Sequence, residues 1–491
     1  MKLTHRTPHS NWILRSTFND VSRAVAPLTP VPASSSGLRF LLDPHGLSLL
    51  TRTRASLQTR RRGGSRRRKI LVVGPSSGEG FAEYWRLRAG EIVSSLHRAG
   101  ADVFFLGTEA EARPESPAAR SAVAFQPDVV VAATFNHYLV CIAGDGVVTR
   151  LRKPAIQLWD DPFGALALWS LIQRGGELGS LGPVHRDNEL ERFQAIMNAV
   201  PMHHLAWDTG HIESMCGLEL ARRSCVTWYP MVSYRPFIEQ GQVEATQDVD
   251  VSFCGNVWTA AVEAGSFSND DFFSDLTAAV CRRKAEMPAL SAWEILREAI
   301  DRIEETERRA RGLTRSQTPF WDYYLHAVWL AMNTHVRLQL LTNIPREVAI
   351  YGVFADPASI ARLESLPNLR YAGDAAPFAA LPQTYARTKV NICISNALIY
   401  AGVPSKLIEC VASGGFALVD AKADLVRLFG KDIEKIFFRD ADDLNAKIEY
   451  YLARPAERRE IVEGLRATID DQCSIDRVAT LILQAAGTLR G

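Results

Sequence analysis

A run of apolar residues long enough to cross a membrane is missing from this 491-residue chain. The longest apolar-looking stretch, Asp128 to Gly144, starts on a charge and carries Asn136 and His137, whereas a spanning helix needs ~20 clean apolar residues. Paired cysteines are missing as well. The eight cysteines are scattered, with no Cys-x-x-Cys pair and no His at zinc-finger spacing, which speaks against a disulfide framework and a zinc module. Most sit in apolar surroundings such as Asn391-Ile392-Cys393-Ile394, as free thiols in a reducing cytoplasm do. A large net charge is missing too, although the formal +1 hides an asymmetry: residues 1–69 hold 14 Lys and Arg against Asp20 and Asp43, a balance of +12 that leaves −11 for the rest. An acidic body does not suit phosphate neutralisation, so nucleic acid is not an expected partner.

What is present is ordinary for a globular protein: 47% apolar and 23% charged residues. At ~100–200 residues per domain, the length allows for about two to four domains. Residues 1–68 read as a basic, disordered leader, punctuated by Pro8, Pro27, Pro30 and Pro32 and closed by an arginine cluster from Arg52 to Arg68. They lack the apolar run of a secretory signal. The arginines could make weak contact with an anionic membrane, which would place the protein at the inner face of the membrane rather than free in the cytoplasm.

At Lys69 the character changes. Lys69-Ile70-Leu71-Val72-Val73-Gly74 predicts a buried strand, a helix follows to Gly100, and Asp102–Gly107 predicts the next strand. This strand–helix–strand unit implies a parallel sheet. Further strands are expected at 128–132, 155–159, 203–207, 225–229 and 248–254, with a helix over 190–200. Residues 264–343 show only helical spacing. The alternation resumes with strands at 348–351, 369–371, 390–394 and 416–419. A helix is expected over 404–412, and others over 442–452, 456–468 and 476–489. The pattern predicts two α/β sheets facing across a cleft, with the site at the carboxyl ends of the strands.

Three loops could carry chemistry. Gly74-Pro75-Ser76-Ser77-Gly78-Glu79-Gly80 follows the first strand but fits neither a dinucleotide fingerprint, which would need Gly where Ser76 stands, nor a Walker loop, which would need a Lys. It is either a phosphate-approaching loop or a plain tight turn. Trp159-Asp160-Asp161-Pro162 ends another strand, and an acid there either takes a proton or holds a hydroxyl, or is a turn Asp before Pro. The third stretch, Asn391 to Gly415, is the most informative. Pro404 stands at a helix start, and Lys406 and Glu409, three residues apart, share one helix face. Near a helix N-terminus, a Lys and free N–H groups attract a diphosphate, and a Glu one turn on can accept from sugar or ribose hydroxyls. The competing reading is a surface ion pair between Lys406 and Glu409.

Gly402-Val403-Pro404-Ser405-Lys406-Leu407-Ile408-Glu409, followed by Ala412-Ser413-Gly414-Gly415-Phe416-Ala417-Leu418-Val419-Asp420, resembles the donor-binding segment of GT-B glycosyltransferases. The nearest resemblance is to the CgeB-like (spore maturation) group, carried also by Ala349-Ile350-Tyr351-Gly352, Tyr371-Ala372-Gly373, Leu381-Pro382-x-x-Tyr385 and Asp248 to Asn256, with Trp159-Asp160-Asp161-Pro162 and Trp207-Asp208 resembling its first-domain landmarks. It covers roughly residues 69–475 and is strongest in the last third.

The resemblance implies an α/β chain of GT-B type: two Rossmann-like domains facing a central cleft, with a helical insertion in the second. The first, acceptor-side domain would span 69–245. The second, donor domain would span 246–475 with its insertion at about 259–343, and a last helix, 476–491, would cross back to the first domain. The implied activity is transfer of a sugar from a nucleotide-diphosphate donor, UDP or GDP type, to a saccharide, protein or lipid acceptor. By carry-over, Glu409 holds hydroxyls, Lys406 and Ser405 hold the diphosphate, and Gly78 and Gly80 approach it from the first domain. Asp160 is the implied catalytic acid facing acceptor or sugar. Gly402, Asn256, Gly414 and Gly415 complete the donor-binding set. Lys and helix dipole can neutralise the leaving diphosphate, so neither a metal nor another cofactor is expected. Many retaining members carry a second Glu eight residues before the helix Glu. Here that position is Ala401, which leaves open retention against inversion, and catalysis against a non-catalytic protein that binds a sugar nucleotide or a partner.

Overall fold

In a computed structural model, residues 67–75, 81–107, 116–133, 151–159, 161–162, 183–232, 237, 245–255, 257, 271–303, 305–306, 318–352, 357–374 and 380–489 are described. Residues 1–66 of the basic leader, residues 76–80 with Gly78 and Gly80, Asp160 and Asn256 lie outside them.

The first sheet is built from β1 (Lys69–Gly74), β2 (Asp102–Gly107), β3 (Val129–Ala132), β4 (Ala155–Trp159), β5 (Met202–Ala206) and β6 (Val226–Trp228), in the spatial order β2-β1-β3-β4-β5-β6. Every pairing is parallel. Parallel strands are covered on both faces, which is why Ile70–Val73 is an unbroken apolar run with no exposed side chain. Helices α1 (Phe81–Arg98), α2 (Pro117–Phe125), α3 (Pro183–Asn198) and α4 (Thr209–Gly217) accompany the strands. Ala89, Ile92, Val93 and Leu96 recur at helical spacing on α1 and are all buried. Helix α3 starts at Pro183, earlier than its apolar spacing suggests, because Pro is well placed in a first turn.

The second sheet comprises β7 (Val249–Cys254), β8 (Val348–Tyr351), β9 (Leu369–Gly373), β10 (Thr388–Cys393), β11 (Ala417–Asp420) and β12 (Phe437–Phe438), in the order β12-β11-β10-β7-β8-β9, again all parallel. Between β7 and β8 lie α5 (Asp271–Glu286), α6 (Ala292–Arg302) and α7 (Thr318–Thr342). Ser291 and Glu294 form a reciprocal capping box at the start of α6. Along α7, Leu325, Val328, Met332, Val336 and Leu340 form a buried stripe, and the helix packs on α5. The remaining helices are α8 (Pro357–Glu364), α9 (Leu381–Arg387), α10 (Ser405–Ala412), α11 (Ala423–Phe429), α12 (Ala441–Leu452), α13 (Pro455–Gln472) and α14 (Ile475–Thr488).

The architecture is therefore the two-sheet, doubly wound arrangement of GT-B type, with helices inserted in the second domain. Helix α14 returns to the first domain and packs on α1. Asp476 at its start is bonded by Ser95 and pairs with Arg98 at 2.5 Å, and Arg68 donates to the Leu483 carbonyl at 2.9 Å. Val478, Ala479, Ile482, Ala485 and Ala486 are all buried. Among the described residues, no helix is long and apolar enough to cross a membrane.

Removing the Ile482 side chain beyond Cβ should leave a void under this helix. Ile482→Ala is expected to destabilise the chain by about 2–5 kcal/mol in urea unfolding.

Candidate functional site

In an open parallel sheet, ligands bind outside the carboxyl ends of the strands where the winding direction reverses. In the second sheet the chain runs outward from β7 to β8 and β9, then returns to the other side of β7 with β10. The reversal lies between β7 and β10. Gly255 follows β7 there, and the loop after β10 leads into α10, which carries Lys406 and Glu409.

The structure brings these residues together in a dry setting. The Lys406 ammonium lies 5.0 Å from the centre of the Phe253 ring, and the Arg337 guanidinium, from α7, lies 5.6 Å from it. Gly255 carries no side chain at the spot the Lys406 ammonium occupies; any Cβ there would collide with it. Glu409 is only 5% exposed and Arg337 is also 5% exposed, so neither belongs to a solvated face. Among the described residues, the Lys406 ammonium and the Glu409 carboxylate have neither a hydrogen bond nor an ion pair, which contradicts the surface ion-pair reading. Burial, aided by Arg337, lowers the Lys406 pKa to about 8. Burial raises the Glu409 pKa to about 7, with Lys406 opposing the shift. Thiols line the same region: burial pushes Cys254 and Cys393 up to about 12, so both stay neutral.

Helix α10 begins without a side-chain cap, because Pro404 occupies the N-cap. Among the described residues, the N–H groups of Ser405 and Lys406 find no partner, leaving them for a ligand. Gly402 lies just before, pressed on the first domain: a Cβ there would lie 2.5 Å from the Trp207 ring. Gly414 and Gly415 stand at the opposite end of α10, about 12 Å away by helix rise. Gly414 has a φ of 82°, and a Cβ on Gly415 would lie 2.8 Å from both Cys410 Sγ and the Tyr385 carbonyl. They end the helix and pack it; they do not join Lys406. Asp248 and Asp250 are held by Arg387 and Lys389 and face no site.

Two features are not legible from motifs. One is Arg337, whose helix stands far from α10 in sequence. The other is a seam between the domains. Asp208 caps α4 and is fully buried. Its carboxylate accepts from Gly210 N at 2.7 Å and His211 N at 3.2 Å in its own helix, and from Tyr400 N at 2.8 Å and Ala401 N at 3.1 Å across the seam. His211 Nε2 lies 2.8 Å from the Leu398 carbonyl, and Thr209 donates from its backbone and hydroxyl to Asp424 at 2.9 and 2.8 Å. The carboxyl ends of the two sheets therefore face each other. Asp161 is half-buried here, and burial raises its pKa against the opposing pull of His211. The loop also borders a cavity of about 840 Å³ lined by Glu213, Trp293, Arg297, Tyr400 and Lys422, within the size range of small-molecule sites.

Residues 337–484 match a family model described as glycosyl transferase-like, a span that includes Arg337, Lys406 and Glu409. No curated protein matches the chain. Solved structures of similar shape include a DNA-modifying β-glucosyltransferase studied with and without uridine diphosphoglucose (9% identity, TM-score 0.47, 85% of this chain and 99% of that one). The T4 phage β-glucosyltransferase with its UDP-glucose substrate gives 9% identity and a TM-score of 0.46 over 86% and 99% of the two chains. WaaG, a glycosyltransferase of lipopolysaccharide biosynthesis, gives 10% identity and a TM-score of 0.40 over 86% and 100%.

The burial of Glu409 sets a stability test. Its carboxyl titrates near 7 when folded but near 4.5 in an ordinary setting, so folding pays a charge penalty that is complete above pH 7 and gone below about 4.5. Glu409→Gln should therefore stabilise the ligand-free chain at pH 8, by at most about 3 kcal/mol, and the gain should vanish near pH 4.5. Urea unfolding at the two pH values checks this.

Proposed function

We propose that the chain is a glycosyltransferase that moves a sugar from a UDP- or GDP-linked donor to an acceptor hydroxyl. The observation that carries this reading is a half-buried ammonium and a buried carboxylate one helical turn apart, neither with a hydrogen bond or ion pair among the described residues, at the winding reversal of a doubly wound sheet. A cation in a dry site needs an anion, and the diphosphate supplies one. The glycosyl transferase-like match over 337–484 supports the same assignment. The finer CgeB-like resemblance rests on motifs alone.

When the sugar–phosphate bond breaks, negative charge grows on the leaving diphosphate. Lys406, Arg337 and the free N–H groups at the start of α10 meet it there, already oriented and poorly solvated. Glu409 accepts from ribose or donor-sugar hydroxyls. Lys406, Arg337 and the helix N-terminus supply the neutralising charge, and the reading assigns no role to a metal. Retention of configuration follows the resemblance only. The described cysteines are free thiols, which suits a cytoplasmic enzyme. The observation that favours a second reading, a non-catalytic sugar-nucleotide binder, is Ala401 in place of a carboxylate. Slow donor hydrolysis by the wild-type chain, lost in Lys406→Ala, separates the two.

Thermal shift with UDP, GDP and NAD tests the class of ligand: stabilisation by UDP or GDP and not by NAD is expected. Lys406→Ala should lower turnover by roughly 10²–10³. Nucleotide affinity should be bell-shaped in pH. Binding strengthens as Glu409 ionises through about 7 and weakens as Lys406 loses its proton through about 8, which calorimetry across pH 5 to 10 would trace.

A further inference from the structure

The loop from Ser395 to Pro404 aims the first turn of α10, yet it has no regular structure of its own. Its backbone is held from outside. Asn333 of α7 binds Ala397 N at 2.8 Å and Asn396 at 3.1 Å. Asp420 of β11 accepts from Ser395 N at 2.7 Å and Asp424 N donates to the Ala401 carbonyl at 2.9 Å, both within the second domain, while Leu398 to Gly402 also meet the first domain. His211 meets the Leu398 carbonyl, Asp208 takes the N–H groups of Tyr400 and Ala401, and the Trp207 ring lies against Gly402. On the other side of the seam, a Cβ on Gly210 would lie 2.6 Å from Tyr400 Cβ, so both backbones approach as closely as glycine allows. Asp208 stands at the centre. Its two oxygens accept from four backbone N–H groups, two in each domain, and Tyr400 is buried. A buried N–H deprived of its acceptor is costly, so the loop would rearrange rather than keep its course.

We propose that Asp208 is a positioning residue of the donor site: a first-domain carboxylate holds the second-domain loop in the one conformation that presents Ser405 and Lys406 to the diphosphate. The loop position that lacks a side-chain carboxylate, Ala401, receives one through space, but at its backbone N–H. With its lone pairs already engaged by four donors, Asp208 orders the loop and does not touch the sugar. The proposal rests on the donor-site reading above.

The test uses the full chain with UDP and GDP as probes. Hydrogen exchange of the peptide spanning Tyr400 and Ala401 reads the seam directly, and calorimetry reads affinity. In Asp208→Asn those two amides should lose protection. A loop left competent about one tenth of the time should bind about tenfold more weakly. Gly402→Ala attacks the same seam from the other domain, through the Trp207 ring, and should show both changes even if Asp208→Asn does not fold. Thr209→Val, which cuts only the hydroxyl bond to Asp424, should leave amide protection and affinity unchanged. Wild-type exchange or wild-type affinity in folded Asp208→Asn and Gly402→Ala overturns the proposal, as does an equal loss in Thr209→Val. Failure of the wild-type chain to bind either nucleotide instead overturns the donor-site reading, whatever exchange shows at the seam.

Discussion

Charge kept away from water is the constraint around which the second domain is arranged. Lys406 and Glu409 are both desolvated, and neither neutralises the other through a bond. Such a pair is expensive in the empty protein, and everything nearby limits the expense without removing the charges. The Phe253 ring offers its electron-rich face to Lys406 and Arg337, Gly255 leaves room for the ammonium, and neutral thiols fill the rest. A purely structural site would have closed an ion pair. On the proposed reading, an unpaired one keeps its electrostatic energy for the donor, an exchange of stability for function.

The insertion has a part in this economy. Helix α7 supplies Arg337 to the ring and Asn333 to the loop before α10, so the helices between β7 and β8 are wired into the site rather than appended to the domain. Helix α5 reaches the same neighbourhood from another side: buried Lys284 donates to the carbonyls of Pro288 and Leu290 beside Lys422, which pairs with Asp420 at 3.2 Å at the end of β11. Burial, with Lys422 adding to it, keeps the Lys284 pKa well below its usual range.

Much of this was legible in the sequence, for identifiable reasons. Buried parallel strands are short apolar runs, so Lys69–Gly74 and Thr388–Cys393 stand out against their flanks. The pairing of Lys406 with Glu409 could be read because helical spacing is local. Their burial could not: a helix face is dry or wet according to what packs on it, and Phe253, Arg337 and Gly255 arrive from elsewhere in the chain. The two-residue strand β12 has too little pattern to detect, and β5 lies one residue earlier than its apolar run suggests because Trp207 prolongs that run. Asp208 is the plainest case. Trp207-Asp208 stands out only as a landmark of the resemblance, and nothing local reveals that this carboxylate caps α4 and also binds a loop nearly two hundred residues on.

The return of α14 to α1 has a consequence in time as well as in space. Domains generally form in the order of their synthesis. Here β1 and α1 are made well before α14, whose Asp476 lies 381 residues beyond the Ser95 it meets. The first domain is thus completed only after the second has been synthesised, and until then Ser95 and Arg98 stand without the Asp476 they meet in the finished fold.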